Sequence, residues 1–151
     1  MNERHAYACH ACGQWNRVPA ERADDGPRCG RCRGALDTSG RPVDVDVARV
    51  DVLVAGAPVP VVVDLWAPWC GPCRVLGPSL AQVAGELRGR VLVLKVNTDE
   101  HRGLSERHNV QGIPTLLAFG RGALVDRQVG ALPLPQLRAW VGRLTAGPPT
   151  A

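Results

Sequence analysis

The sequence predicts an α/β protein, a mixed central sheet with helices on both faces, preceded by a small module organised by four cysteines. Three observations carry that prediction. Residues 61–66 and 91–96 are continuous apolar runs, the mark of parallel strands covered on both faces; between them Leu76, Leu80, Val83, Ala84 and Leu87 recur at helical spacing. Two strand-like runs, 115–119 and 123–129, flank Gly120-Arg121-Gly122 and read as an antiparallel hairpin. Ahead of these stand Cys9-x-x-Cys12 and Cys29-x-x-Cys32, with sixteen residues between the pairs.

At 151 residues and 45% hydrophobic content, the chain has room for one ordinary core and one small appendage. The formal charge of +4 comes from arginines scattered over the whole length, with Lys95 the only lysine. Such a dispersed excess leaves no nucleic-acid footprint, and no stretch approaches the roughly 18 apolar residues of a membrane helix. The first residues, Met1-Asn2-Glu3-Arg4-His5, lead to Cys9 without the apolar segment of a secretory signal, so the expectation is a cytoplasmic protein; nothing suggests an obligate dimer, and a monomer is expected. Thiols stay reduced in that compartment, and the six cysteines are sorted into metal ligands and redox pairs.

The N-terminal module spans residues 1–36. Each C-x-x-C can form a knuckle that aims two sulfurs at one ion, so Cys9, Cys12, Cys29 and Cys32 complete a tetrahedron with Zn–S of about 2.3 Å. Gly13, Gly30 and Gly34 supply the small residues that such turns favour. About 35 residues bury too little apolar surface to fold unaided, so zinc binding is expected to act as folding energy. Four thiolates leave no open position for catalysis; a pair of disulfides and a catalytic metal are the competing readings. His5 and His10 are expected to be exposed, and Trp15 to shield the module.

Residues 37–42, polar and punctuated by Gly40 and Pro42, read as a linker. The second domain spans 43–146. It opens with an edge strand at 43–45 and a helix over 47–55 ending at Gly56; the strand, helix and strand described above follow, with Pro78 kinking the helix. A short helix over 104–108 stops at Asn109, and Asp99 and Glu100 are expected to complement the dipole at its start. His101 and His108 are expected on a solvated face. After the hairpin, Leu134, Leu137, Val141 and Leu144 mark a closing helix, with Trp140 in the core and residues 147–151 disordered. From the strand at 61–66 on, the element order is βαβαββα.

The chemistry concentrates at Trp66-Ala67-Pro68-Trp69-Cys70-Gly71-Pro72-Cys73, between an apolar strand and a helix. A helix N-terminus carries roughly +0.5 of an elementary charge and unpaired N–H groups that stabilise a thiolate. Cys70 is therefore the expected nucleophile, and Cys73, one turn deeper, the resolving thiol. Each neighbouring strand carries one ionisable residue in an apolar run, Asp64 and Lys95. Burial of an acid there raises its pKa, which marks either a functional group or an ion pair kept for fold specificity.

Trp69-Cys70-Gly71-Pro72-Cys73 resembles the active site of the thioredoxin family, and Gly112-Ile113-Pro114-Thr115 resembles its second signature. With the four-cysteine module ahead, the resemblance narrows to the zinc-containing bacterial members. It implies a thioredoxin fold and a protein-disulfide reductase working through a redox-active Cys70–Cys73 disulfide, with one structural zinc ion and no bound organic cofactor. Asp64 becomes the proton acceptor for Cys73, and Lys95 its modulator. Sequence alone predicts a trans bond before Pro114; the resemblance implies cis, with Pro114 against the active-site pair and the Ile113 backbone pairing with an extended substrate. Gly130 and Ala131 would complete an apolar docking surface with Trp69, Gly71 and Pro72. The implied partners are an NADPH-dependent thioredoxin reductase and disulfide-containing proteins such as reductases and peroxidases. Leu65 stands where many members have Phe, and Pro68 where some have an acid. A disulfide oxidase or isomerase is the alternative within enzymes; a partner-recruiting zinc ribbon attached to a redox-switch domain is the alternative outside them.

Overall fold

In the computed structural model, which describes residues 4–146, five strands form one mixed sheet and four helices cover it. The strands are β3 (Val43–Asp44), β4 (Val61–Trp66), β5 (Leu92–Asn97), β6 (Thr115–Gly120) and β7 (Ala123–Val129). Their order is β3-β5-β4-β6-β7, with β3, β5 and β4 parallel and β6 and β7 antiparallel to their neighbours. The helices are α1 (Val47–Gly56), α2 (Gly71–Glu86), α3 (Gly103–Arg107) and α4 (Leu134–Ala146). From residue 43 onward the observed order is βαβαβαββα; the expected βαβαββα is its part from residue 61 on, with β3 and α1 added ahead of it. The expected disorder at 147–151 lies outside the described residues.

The unbroken apolar run of β4 follows from its central place. Val61, Val63 and Leu65 pack against α1 and α3, while Val62 packs with Leu76, Leu80 and Trp140 under α2 and α4. The Val-rich segment of α1 is a weak helix former. It is held by Asp46, whose Oδ1 accepts the Arg49 N–H at 2.8 Å, and by burial of Val50, Leu53 and Val54. Helix α2 runs on through Pro78, which removes the donor that would pair with the Arg74 carbonyl. The two-residue hairpin loop has positive φ at both positions, Arg121 at 54° and Gly122 at 82°, as a turn matching strand twist requires. On the edge strand, Asp126 Oδ2 accepts the Trp140 indole N–H at 2.8 Å and fixes α4 to β7.

The N-terminal module adds a two-stranded antiparallel sheet, β1 (Arg4–Ala8) and β2 (Trp15–Pro19), and a short 3-10 turn at Ala20–Arg22. Tyr7, Val18, Ala23 and Leu36 gather around the buried Cys9 and Cys29. The module is seated on the larger domain. Trp15 does not shield it; the Trp15 indole donates to the Leu53 carbonyl of α1 at 3.0 Å, and Ala8 joins the main core. At the far end of α2, Ala6 N–H donates to Gly89 O at 2.8 Å, and Arg88 bonds both Asp24 (2.9 Å) and the Thr38 carbonyl (3.1 Å). His10 is exposed as expected, but His5 is half-buried against Gly89, its Nδ1 without a partner among the described residues. The expected linker is packed too: a Cβ on Gly40 would lie 2.8 Å from the Ala84 carbonyl oxygen.

Candidate active site and metal centre

Cys70 is the N-cap of α2. Its sulfur accepts the Cys73 N–H at 3.2 Å and is joined to Cys73 in a disulfide. A sulfur in this place sits where the first-turn N–H groups and the helix dipole favour negative charge, so reduction yields a stabilised thiolate. Pro72 occupies the first turn, where its missing N–H costs no helical hydrogen bond. Before the helix, the Arg74 guanidinium donates twice to the Pro68 carbonyl, at 3.2 and 2.7 Å, and pins the loop.

Across the surface, the Ile113–Pro114 bond is cis, and the Ile113 carbonyl oxygen lies 3.8 Å from Cys70 Sγ. The Pro114 carbonyl accepts the Gly130 N–H at 2.8 Å, so the loops carrying Ile113 and Gly130 are held to each other. Gly130 needs its glycine, with φ at 93°. Trp69 is 68% exposed and its indole N–H donates to Asp99 Oδ1 at 3.1 Å.

Below the pair, Asp64 is only 2% exposed, and its Oδ1 has no partner among the described residues. It lines a cleft of about 450 Å³ with Cys73, Arg74, Trp66 and Lys95. Burial pushes its carboxyl up to about 6; the Lys95 charge pulls it back down, and Asp44 pushes it up further. The Lys95 ammonium lies over the Trp66 ring, 4.7 Å from its centroid. Trp66 is thus a half-buried wall of the cleft, not plain core.

In the module, the sulfurs of Cys9, Cys12, Cys29 and Cys32 lie within 4.8 Å of one another, with Cys9–Cys32 and Cys12–Cys29 at 3.6 Å. A zinc tetrahedron with Zn–S of about 2.3 Å has edges of about 3.8 Å, so the four thiols fit the ion as they stand. The knuckles are geometric repeats: Gly13 N–H bonds Cys9 O at 2.8 Å, and Arg33 N–H bonds Cys29 O at 2.9 Å. Each repeat turns through a positive φ, Gly13 at 84° and Arg33 at 68°. In the second knuckle the left-handed position thus falls on an arginine, not on Gly30 or Gly34. Those two glycines serve otherwise: Gly30 N–H donates to Asn16 Oδ1 at 2.9 Å and Gly34 N–H to Cys32 Sγ at 3.4 Å.

Residues 42–143 match the model of the Thioredoxin family, and residues 8–34 match the zinc-ribbon family described as Thioredoxin 2, N-terminal. The chain belongs to the thioredoxin family. It is 37% identical over 133 residues to Thioredoxin C-3 of Corynebacterium nephridii, covering 88% of this chain and 90% of that one. Against Thioredoxin 1 of Chlorobaculum tepidum it is 45% identical over 89 residues, 59% of this chain and 88% of that one. Among solved structures, a mutant thioredoxin from Halobacterium salinarum superposes with a TM-score of 0.67 at 28% identity, covering 75% of this chain and 98% of the other.

As a thioredoxin, the chain is a thiol-disulfide oxidoreductase with a redox-active Cys70–Cys73 disulfide. The fold brings Cys70, Cys73, Trp69, Gly71 and Pro72 to one end of α2 and sets the cis Ile113–Pro114 bond and the Gly130 loop beside them. The four module cysteines belong to the separate N-terminal module, which meets the larger domain on α1, through Trp15, and just beyond the C-terminal end of α2, through Ala6 and Arg88. Asp99 was expected to serve α3, yet α3 is capped by Arg102 without a side-chain bond and Asp99 holds Trp69 instead. Val75 and Val129, 68% and 65% exposed, extend the apolar surface next to Pro72 and Gly130. The readable signal for Val75 was its place outside the Leu76, Leu80, Val83 stripe. No helix among the described residues is long and apolar enough to cross a membrane.

Proposed function

We propose that this thioredoxin reduces protein disulfides in the cytoplasm with Cys70 as nucleophile, Cys73 as resolving thiol, Asp64 as proton acceptor and Lys95 as its modulator. The observation that carries this reading is the shared cleft, in which Cys73 and the orphaned Asp64 carboxylate face one solvent-accessible space. In the first step the Cys70 thiolate attacks one sulfur of the substrate disulfide; a Cys70–substrate bond forms, and the other substrate sulfur leaves as a thiolate. Asp64 then takes the Cys73 proton across the cleft. The Cys73 thiolate attacks Cys70 Sγ, the mixed disulfide breaks, and the second substrate sulfur leaves. Two electrons have passed to the substrate, and Cys70–Cys73 is oxidised.

Trp69, Gly71, Pro72, Gly130 and Ala131 form the docking surface, and the Ile113 backbone pairs with an extended substrate segment beside Pro114. The Gly-Pro between the cysteines favours a potential near the thioredoxin value of about −270 mV over the oxidant value of about −120 mV. The disulfide is returned to the dithiol by an NADPH-dependent thioredoxin reductase, and the substrates are disulfide-containing reductases and peroxidases. Cys9, Cys12, Cys29 and Cys32 hold one zinc ion, which supplies folding energy. Insulin reduction with NADPH and thioredoxin reductase tests the assignment. Wild type should be active and Cys70→Ser dead; retained activity in Cys70→Ser would remove Cys70 from its role.

A further inference from the structure

Asp64, Lys95 and Asp44 stand opposite one another across three neighbouring strands. Strand β4 pairs with β5 at Asp64 and Lys95, and β3 pairs with β5 at Asp44 and Lys95. Residues opposite each other in register share a face, so carboxylate, ammonium and carboxylate form one row under α2. Asp64 is the buried end of the row, and Asp44, on the edge strand, is its exposed end. The Lys95 ammonium forms no salt bridge with either carboxylate; it lies over the Trp66 ring, 4.7 Å from its centroid, and its charge acts on Asp64 through space.

We propose that Asp44 is a positioning residue for the resolving step, drawing the Lys95 charge toward the sheet edge and so keeping Asp64 a stronger base for the Cys73 proton. The proposal rests on the reading of Asp64 as proton acceptor. Strands lie about 4.8 Å apart, so the two aspartates are separated by about 10 Å along the row, within reach of an interaction at an incompletely screened sheet edge. The sign is set by charge alone. A second negative group disfavours ionised Asp64, and competition for Lys95 does the same; consistent with this, Asp44 adds to burial in raising the Asp64 carboxyl. The other groups facing Asp64 are Cys73 and Arg74 from α2; its β6 partner, Leu116, is apolar. Arg49 and His10 line one cleft beside Asp44, and Asp46, Glu100 and His101 line another beyond Trp66, but Asp46 is committed to the Arg49 N–H.

The test follows the resolving step in the full, zinc-loaded chain. Reduced protein is mixed with an aromatic disulfide whose thiolate is coloured, and the second burst of colour, from attack of Cys73 on the mixed disulfide, is timed against pH. Wild type should show an inflection near the Asp64 value of about 6. Asp44→Asn should move it to lower pH and slow the plateau roughly two- to threefold, because a weaker base accepts the proton less readily. Asp44→Lys should move it further the same way, Asp44→Glu should restore wild-type behaviour, and Asp64→Asn should abolish the inflection and make Asp44→Asn silent. An unmoved inflection in Asp44→Asn and Asp44→Lys, with Asp64→Asn still abolishing it, overturns the role of Asp44 alone. An inflection that survives Asp64→Asn overturns the reading beneath it.

Discussion

Asp64, the proposed proton acceptor, would set stability against chemistry. An ordinary aspartate titrates near 3.9, whereas burial holds this one near 6, so the folded state binds more protons than the unfolded chain between about pH 4 and about pH 6. Stability therefore falls as pH rises through that window, and by pH 7 the cost of an ionised Asp64 is about 3 kcal/mol. Asp64→Asn should be more stable than wild type by about that amount in urea unfolding at pH 7, with the two proteins converging near pH 4. A variant no more stable at pH 7 than at pH 4, relative to wild type, would mean that water relieves the burial. A second prediction concerns Asp99, whose carboxylate holds the exposed Trp69 indole. Asp99→Ala should free that ring, raise KM for insulin about threefold with little change in kcat, and shift Trp fluorescence, since the lost bond orients the proposed docking surface and touches no reacting atom. Residue placement was legible where chemistry and position coincide in one segment. A charged residue in an apolar run announced Asp64, and a C-x-x-C at a strand-helix junction announced Cys70. The partner of Trp69 was not legible, because the two lie thirty residues apart and the acid sits where a helix cap was the simpler expectation.

At the scale of elements, periodicity settled the centre of the sheet and left its margins to local bonds. Strands buried on both faces read as apolar runs, so β4, β5 and the stripe of α2 were found within a residue or so of their bounds. Helix α1 was the weakest expectation because valine is a poor helix former, and what fixes it is a cap together with burial against β4. Asp46→Ala should therefore cost about 1 kcal/mol in global stability by denaturant unfolding, the ordinary worth of an N-cap. A loss below a few tenths would show that packing alone holds the helix. The second zinc knuckle teaches the complementary point. Glycine was expected at its turn, but Arg33 takes the left-handed φ, since four sulfurs closing on one ion and the bond from Arg33 N–H to Cys29 O can outweigh a steric cost of about 1–2 kcal/mol.

At the scale of the whole molecule, the two cysteine chemistries are mechanically joined yet carried by different units of the chain. Spacing alone separated a metal module from a redox domain but could not say how they meet, because the contacts are set by single groups: the Trp15 indole on Leu53, Ala6 on Gly89, and Arg88 on Asp24 and Thr38. These contacts engage α1 and the C-terminal end of α2, whereas Cys70 caps the N-terminal end. Loss of the ion should therefore be felt as stability before it is felt as chemistry. A module of this size has little core of its own, so chelation should unfold residues 4–36, strip Trp15 and Ala8 from the main core, and lower the Tm of the larger domain. Trp15→Ala in the zinc-loaded protein should reproduce part of that loss, about 3 kcal/mol, without releasing metal. Insulin reduction below the lowered Tm should stay within about twofold of the zinc-loaded rate, because the helix terminus, the cis Pro114 loop and the Asp64 cleft lie outside the module. Calorimetry and turnover on the same chelated sample decide between this and direct coupling. An unchanged Tm would mean that the module is a passenger, and a collapse of turnover at a temperature where the domain is still folded would mean that the ion reaches the active site through α2.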